Sequence, residues 1–198
     1  MSDSYLTIAT SSEGQITEKR SKFLAFAFPV STVDEVKGLV DVYAKKYYDA
    51  RHVCYAYMLG AARQVFRAND NGEPSGTAGK PILGQINSNE LTDILIIVVR
   101  YFGGVKLGTS GLIQAYKAAA AEAIAAAEIV ERTVDEHIRI HFEYVLMNAV
   151  MRVVKEIEPT ILKQTFDNDC MMELSIRASQ MPLLRQRLEN IEGLRIDD

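Results

Sequence analysis

Hydrophobic positions along this chain fall into runs whose period switches between two and about 3.6 residues, and the switches mark out the elements. Residues 21–30, Ser-Lys-Phe-Leu-Ala-Phe-Ala-Phe-Pro-Val, are aromatic-rich and uninterrupted, as expected of a strand covered on both faces. Thr32 then opens a helical pattern in which Val36, Leu39, Val40, Tyr43 and Tyr47 recur at helical spacing, with Glu35 placed to complete a capping box. Residues 53–59 and 64–67 predict a strand pair joined by a turn around Gly60. From Ala68 to Gly84 the glycines and prolines predict a long, turn-rich loop. Residues 93–101, Asp-Ile-Leu-Ile-Ile-Val-Val-Arg-Tyr, are the most β-branched run and predict a central strand. A glycine-rich turn from Phe102 to Gly111 follows, and the alanine-dense stretch from Leu112 to Val130 predicts one long helix. Its run Ala118 to Ala121 gives a smooth face suited to close packing on a sheet.

After a charged stretch from Glu131 to Glu136 the pattern starts again. His137 to Phe142 alternates like a strand, and Tyr144 to Ile157 has helical spacing. Thr160 to Phe166 and Met171 to Ile176 read as strands around the turn Asp167-Asn168-Asp169. Ser179 to Ile191 is helical, and Leu194-Arg195-Ile196 is a short last strand. That order, βαββαβ, is the split-βαβ or ferredoxin-like arrangement. The expectation is an α+β chain of two domains, 1–132 and 133–198.

Composition narrows the function classes. The 198 residues are 48% hydrophobic and 24% charged, as in a soluble globular protein. No apolar run approaches the roughly 20 residues that span a bilayer, and Met1-Ser2-Asp3-Ser4 has no basic region followed by an apolar stretch. The expectation is a cytoplasmic protein with no membrane partner. Cys54 and Cys170, the two cysteines, are too few for a disulfide framework or a four-cysteine zinc site. A net charge of −4 excludes a basic arm as the main attachment to nucleic acid, but leaves room for a local basic patch. Basic and acidic residues balance at 14 each up to Arg132 and stand at 8 against 12 beyond it. An anion-binding surface is therefore expected in the first part.

The glycine turn after the strong strand is the first candidate for chemistry, because a helix N-terminus directs unpaired N–H groups at an anion. Gly103 and Gly108 have the spacing of the outer glycines of a P-loop, yet Thr109 stands where that motif requires lysine. A Walker nucleotide site is a poor match, whereas a generic anion site at the helix start near Ser110 remains open; the plainer reading is a tight strand-to-helix turn. The second candidate is the loop carrying Asp70, Glu73, Pro74, Ser75, Gly76, Thr77 and Gly79, whose glycines and prolines fix the backbone tightly. Its spacing fails as an EF-hand, and no histidine is designated as a base for Ser75 or Thr77, so an ordered binding loop is favoured over a catalytic one. His137 and His141 lie on one face of a strand about 13 Å apart, too far to share an ion. His52 reads best as a hydrogen-bonded strand-edge histidine, and Cys54 as a buried, inert thiol. No metal, cofactor or catalytic residue is expected.

Four blocks, read together, resemble the signature of a known family. Ser21-Lys22-Phe23, His52-Val53-Cys54-Tyr55-Ala56-Tyr57, Asp70 through Gly79, and Val99-Arg100-Tyr101-Phe102-Gly103-Gly104-Val105-Lys106-Leu107-Gly108 are similar, in that order, to the IMPACT/YigZ family. The tail from about residue 137 resembles the small C-terminal domain of the bacterial branch. Two departures stand out: Asn69-Asp70-Asn71 replaces a more acidic run, and Thr109-Ser110-Gly111 with Gln114 replaces the usual alanine-glycine-glycine and arginine. The resemblance implies a first domain shaped like the second domain of a small-subunit ribosomal protein, or elongation factor G domain IV. It implies a ferredoxin-like tail like elongation factor G domain V. Eukaryotic members restrain a starvation-responsive kinase of translation initiation through an N-terminal RWD domain, for which this chain has no room before Ser21.

The expected function is that of a translation-associated regulatory protein binding RNA, the ribosome or a translation-linked protein. Lys22, Arg51, His52, Arg67, Lys80, Arg100 and Lys106 would supply phosphate contacts and Tyr101 and Phe102 a stacking surface, with Ser110 at the anion site and Gly103, Gly104 and Gly108 shaping the turn. Its rival within the same loops is that Arg100 pairs with Asp70 or Glu73 and the blocks only fasten two loops together. The alternative function is an enzyme acting on a small phosphorylated or carboxylate ligand held by the Gly103–Gly111 loop, with Asp70 or Glu73 as base.

Overall fold

The computed structural model describes residues 3–167 and 169–197. The chain forms two compact units, one of residues 5–132 and one of residues 133–198 together with the first few residues.

In the first unit the strands are β1 (Ser4–Ile8), β2 (Ser12–Glu18) and β3 (Ser21–Pro29), followed by helix α1 (Val33–Lys46). Then come β4 (His52–Leu59), β5 (Val65–Asn69), α2 (Gly79–Ser88), β6 (Ile94–Tyr101), α3 (Gly108–Ala125) and β7 (Ile129–Thr133). Five strands make an antiparallel sheet in the order β2-β3-β6-β4-β5, and β1 pairs with β7 separately. β6 is central because it is apolar on both faces. Ile94, Ile96 and Val98 pack under α2 and α3 with Phe23, Cys54, Ile82, Leu112 and Tyr116. Leu95, Ile97 and Val99 face the other way, against Val36 and the tyrosines of α1.

The capping box at Thr32 is formed, with Glu35 N–H donating to Thr32 Oγ1 at 3.2 Å and Thr32 N–H to the Glu35 carboxylate at 3.3 Å. The alanine face of α3 packs on the sheet as its composition predicts, burying Ala115, Ala119, Ala120 and Ala123. The approach is close: a Cβ on Gly14 of β2 would sit 2.5 Å from the Ala123 backbone nitrogen. The helix runs earlier than its alanines indicate, starting at Gly108, and the chain after Ala125 turns away so that the β-branched pair Ile129-Val130 enters β7.

Besides β7, three elements depart from the sequence reading. The stretch expected to be loop as far as Gly84 contains α2, where Pro81 sits in the first turn and needs no N–H partner, while Ile82 and Ile86 anchor the helix in the core. β1 and β2 were not expected. β2 is polar and half exposed, and its strand character comes from pairing with the hydrophobic β3 rather than from its own residues.

The second unit contains β8 (Asp135–Glu143), a single 3-10 turn at Tyr144–Leu146, α4 (Met147–Ile157), β9 (Thr160–Thr165), β10 (Asp169–Arg177), α5 (Met181–Glu189) and β11 (Arg195–Asp197). Its sheet is antiparallel in the order β11-β8-β10-β9, which is the βαββαβ order read from the sequence. Ile138, Ile140, Phe142, Val150, Leu174 and Leu184 form its core. Of the expected turn at Asp167-Asn168-Asp169, Asn168 lies outside the described residues, and Asp169 already belongs to β10. Among the described residues no helix is long and apolar enough to cross a membrane.

Candidate functional site

The site forms where the ends of β4 and β6 meet two loops. Antiparallel register sets His52 opposite Arg100, and Phe23 of β3 opposite Arg100 on its other side. These three side chains therefore share the sheet face that α2 and α3 cover. The loop after β5 closes over them, and the loop after β6 leads from Phe102 into α3.

Asp70 holds the first loop in shape. Its carboxylate accepts backbone N–H groups from Gly76 (2.8 Å), Ala78 (3.0 Å) and Gly79 (2.8 Å), so it also caps the start of α2. Burial pushes its pKa upward, but the three amide donors and nearby Lys80 together hold the carboxyl below its ordinary value. Thr77 turns inward to give its hydroxyl to the Pro74 carbonyl at 2.6 Å.

Glu73, brought inward by this loop, is the centre of a buried polar network. Its side chain is 3% exposed and that of Arg100 is 7% exposed, and Arg100 Nη1 donates to Glu73 Oε1 at 2.6 Å. The Tyr116 hydroxyl of α3 donates to the same oxygen at 2.8 Å, and His52 Nε2 lies 3.7 Å from Oε2. The other histidine nitrogen, Nδ1, is 2.7 Å from the Asn71 carbonyl. A carbonyl only accepts, so this contact requires the proton on Nδ1. Behind the carboxylate, the Cys54 thiol donates to the Asp70 carbonyl at 3.0 Å and sits 3.4 Å from the Tyr116 hydroxyl. Burial pushes the Cys54 pKa up to about 12 and drives that of Tyr116 far upward. Cys54 is thus a neutral packing group, as its mid-strand position indicates.

Arg100 is flanked by aromatic rings: its guanidinium carbon lies 5.6 Å from the Phe23 ring centroid and 5.7 Å from that of Phe102. Its Nε is buried and has no hydrogen-bond partner among the described residues, which costs about 1–3 kcal/mol for a buried donor. The loop that follows approaches the β2–β3 turn so closely that only glycine fits at 103. Gly103 N–H reaches Ser21 Oγ at 3.2 Å, and a Cβ there would fall 2.0 Å from the Arg20 carbonyl carbon. The start of α3 carries no side-chain cap and no acidic residue in its first turn.

These parts enclose a cavity of about 510 Å³. Of the residues expected from sequence, Arg51, His52, Glu73, Pro74, Arg100, Phe102, Lys106 and Gly108 line it. Gly72, Leu107, Thr109 and Leu112 complete the wall. Tyr101, expected to stack beside Phe102, is corrected: one residue after Arg100 on a strand, it points to the α1 face, where its hydroxyl donates to Asp49 at 2.9 Å. Lys22 pairs in register with Tyr101, and Arg67 with Tyr57 of the α1 face, so both belong to that opposite side. Lys80 is exposed on the first turn of α2. Ser110, Ser75, Gly76, Thr77, Gly79, Gly103 and Gly104 shape the surrounding backbone without lining the cavity. The helix start that does line it is Gly108-Thr109 rather than Ser110. Arg100 pairs with Glu73, not with Asp70.

Tyr116 was missed from sequence, although it is the one large polar side chain within the alanine-rich face of α3. In the second unit His137 and His141 lie on β8, and His141 meets Asp197 at 3.1 Å and Asp169 at 3.4 Å. Among the described residues no group of three or more His, Cys, Asp or Glu is arranged to hold a metal ion.

Residues 19–124 match the family model of the Impact N-terminal domain. The IMPACT family member YvyE of Bacillus subtilis is 35% identical over 156 residues, covering 79% of this chain and 72% of YvyE. The IMPACT family member YigZ of Escherichia coli is 28% identical over 165 residues, covering 82% of this chain and 81% of YigZ. A solved crystal structure of a hypothetical protein has a similar fold, with a TM-score of 0.74 at 26% identity over 99% of this chain and 97% of the other.

Proposed function

Because the chain belongs to the IMPACT family, we propose that it is a translation-associated regulatory protein whose first unit binds RNA, on the ribosome or free of it. The observation that carries this reading is the cavity of the first unit, at which exposed Arg51 and Lys106 stand with the half-exposed Phe102. Cations that meet phosphates and an aromatic ring that meets a splayed base are the elements of single-strand RNA recognition. The fold likeness to elongation factor G domains implied by the sequence blocks points to the same setting, as an analogy of fold.

Co-sedimentation of the purified protein with ribosomes and with single-stranded RNA, at low and moderate salt, tests this. Binding that falls steeply with salt, and that weakens in Arg51→Ala and Lys106→Ala, is the expected result. Salt-resistant ribosome binding would replace RNA by a protein partner, and absence of binding to either would overturn the proposal.

A second reading, an enzyme acting on a small phosphorylated or carboxylate ligand, is favoured by one observation. The cavity wall carries the Glu73 carboxylate with His52 beside it. Asp70 is not its base, since its carboxylate is engaged by three backbone amides.

A further inference from the structure

The cavity is specific about the chemistry it accepts. Its volume of about 510 Å³ lies within the roughly 300–1,000 Å³ of small-molecule sites. That is room for one nucleotide and far too little for an RNA helix or a folded partner. Three cationic side chains, Arg51, Arg100 and Lys106, line it against the single carboxylate of Glu73, so the wall carries an excess of two positive charges. A carboxylate ligand leaves that excess half unmatched, whereas a phosphate monoester near neutral pH carries about −1.5 to −2. One further feature calls for an anion. The Gly108-Thr109 end of α3 opens on the cavity without a side-chain cap. Beside His52 and Gly72, the rest of the wall is Phe102, half exposed, with Leu107, Leu112 and Pro74, an apolar surface for a planar ring rather than for a sugar alone.

We propose that this cavity binds a nucleoside 5′-monophosphate group, with the terminal phosphate at Arg51, Lys106 and the start of α3 and the base against Phe102. The group is either a free nucleotide or the 5′ end of an RNA chain. The inference deepens the RNA reading above by naming what enters the cavity. It requires a terminal phosphate monoester, which RNA binding through internal phosphodiesters does not.

Isothermal titration calorimetry on the full chain tests it with four probes: adenosine 5′-monophosphate, adenosine, and a short oligoadenylate with and without a 5′ phosphate. The expected result is phosphate-dependent binding in each pair. Arg51→Ala and Lys106→Ala, both at exposed positions, should each weaken it by about tenfold or more without lowering the melting temperature of the free protein. A phosphorylated oligonucleotide that binds about tenfold more tightly than the mononucleotide assigns an RNA end, and comparable affinities assign a free nucleotide. Equal affinity for the phosphorylated and unphosphorylated oligonucleotides overturns the inference and leaves the RNA reading standing. Binding of the mononucleotide, with none to RNA or ribosomes, keeps the inference and removes that reading. No binding of any of the four probes overturns the inference.

Discussion

Replacing Glu73 by alanine removes the carboxylate partner of a guanidinium that is almost fully buried. The pair is 2.6 Å apart with side chains 3% and 7% exposed, so neither charge is screened as a surface pair is. Loss of one partner from a buried ion pair costs about 3–5 kcal/mol, because the remaining charge stays desolvated. The Tyr116 hydroxyl loses its acceptor in the same step. Against a total stability of about 5–15 kcal/mol that is a large fraction. It corresponds to a fall in melting temperature of roughly 6–20 °C for a chain of this length.

Removing both charges is different. In Glu73→Leu/Arg100→Met the space is refilled by apolar groups of similar size, and the Tyr116 hydroxyl keeps the Cys54 thiol 3.4 Å away. Replacement of a buried pair in this way is often neutral or stabilising. The double variant should therefore recover most of what Glu73→Ala loses, with a large coupling energy in the cycle. Urea denaturation gives the numbers, with the midpoint shifting at constant slope. The reasoning fails if Glu73→Ala costs less than about 1 kcal/mol, the size of a surface pair, or if the double variant is no better than the sum of the singles.

Asp70→Asn should narrow its stability gap to the parent as the pH falls. The folded carboxyl titrates below its ordinary value, so its contribution is complete above about pH 4 and disappears as the pH drops through the folded pKa. Melting temperatures between neutral pH and pH 3 check this, and a gap that widens in acid refutes it. Gly103→Ala should destabilise the first unit by about 1–3 kcal/mol or more, since its Cβ would lie 2.0 Å from the Arg20 carbonyl carbon; an unchanged melting temperature counts against the close approach. In a Cys170→Ala background, Cys54 should react with a thiol reagent only as fast as the protein opens, because the group is buried and its pKa stands at about 12. Prompt stoichiometric labelling of native protein would contradict that.

Local signals and pairwise ones divide what the sequence discloses. β6 was legible because a run of Ile, Leu and Val needs cover on both faces, α1 because Thr32 and Glu35 cap it, and α3 because alanine dominates it. β2 was not legible, since Ser-Glu-Gly-Gln-Ile-Thr-Glu has no strand character apart from β3. α2 was hidden by its glycines and Pro81, while the side chain that caps it, Asp70, is held in the preceding loop. Within the site, the cation-bearing blocks were legible as residue types. The side on which each stands follows from strand alternation: Arg100 and Tyr101 are adjacent on one strand and cannot share a face. The partners of Arg100 depend on contacts 27 and 43 residues away, from Arg100 to Glu73 and from Glu73 to Tyr116. No local pattern encodes those.

The buried pair has a consequence for the register of the sheet. A slip of one residue in β6 would exchange its two faces, and because Ile94, Ile96 and Val98 on one side match Leu95, Ile97 and Val99 on the other in polarity, hydrophobicity alone opposes such a slip weakly. What differs between the faces is the end of the strand. In the native register Arg100 meets Glu73 and the Phe23 and Phe102 rings, while Tyr101 reaches Asp49. After a slip the guanidinium would leave Glu73 buried without its counter-ion, and the Tyr101 hydroxyl would enter the face packed by the alanines of α3. A pair whose net contribution to stability is small can therefore still decide between registers, since it penalises the wrong one by the full cost of an unpaired buried charge. The same register sets His52 beside Arg100 and so brings the loop after β5 against the loop after β6, which is what creates the cavity.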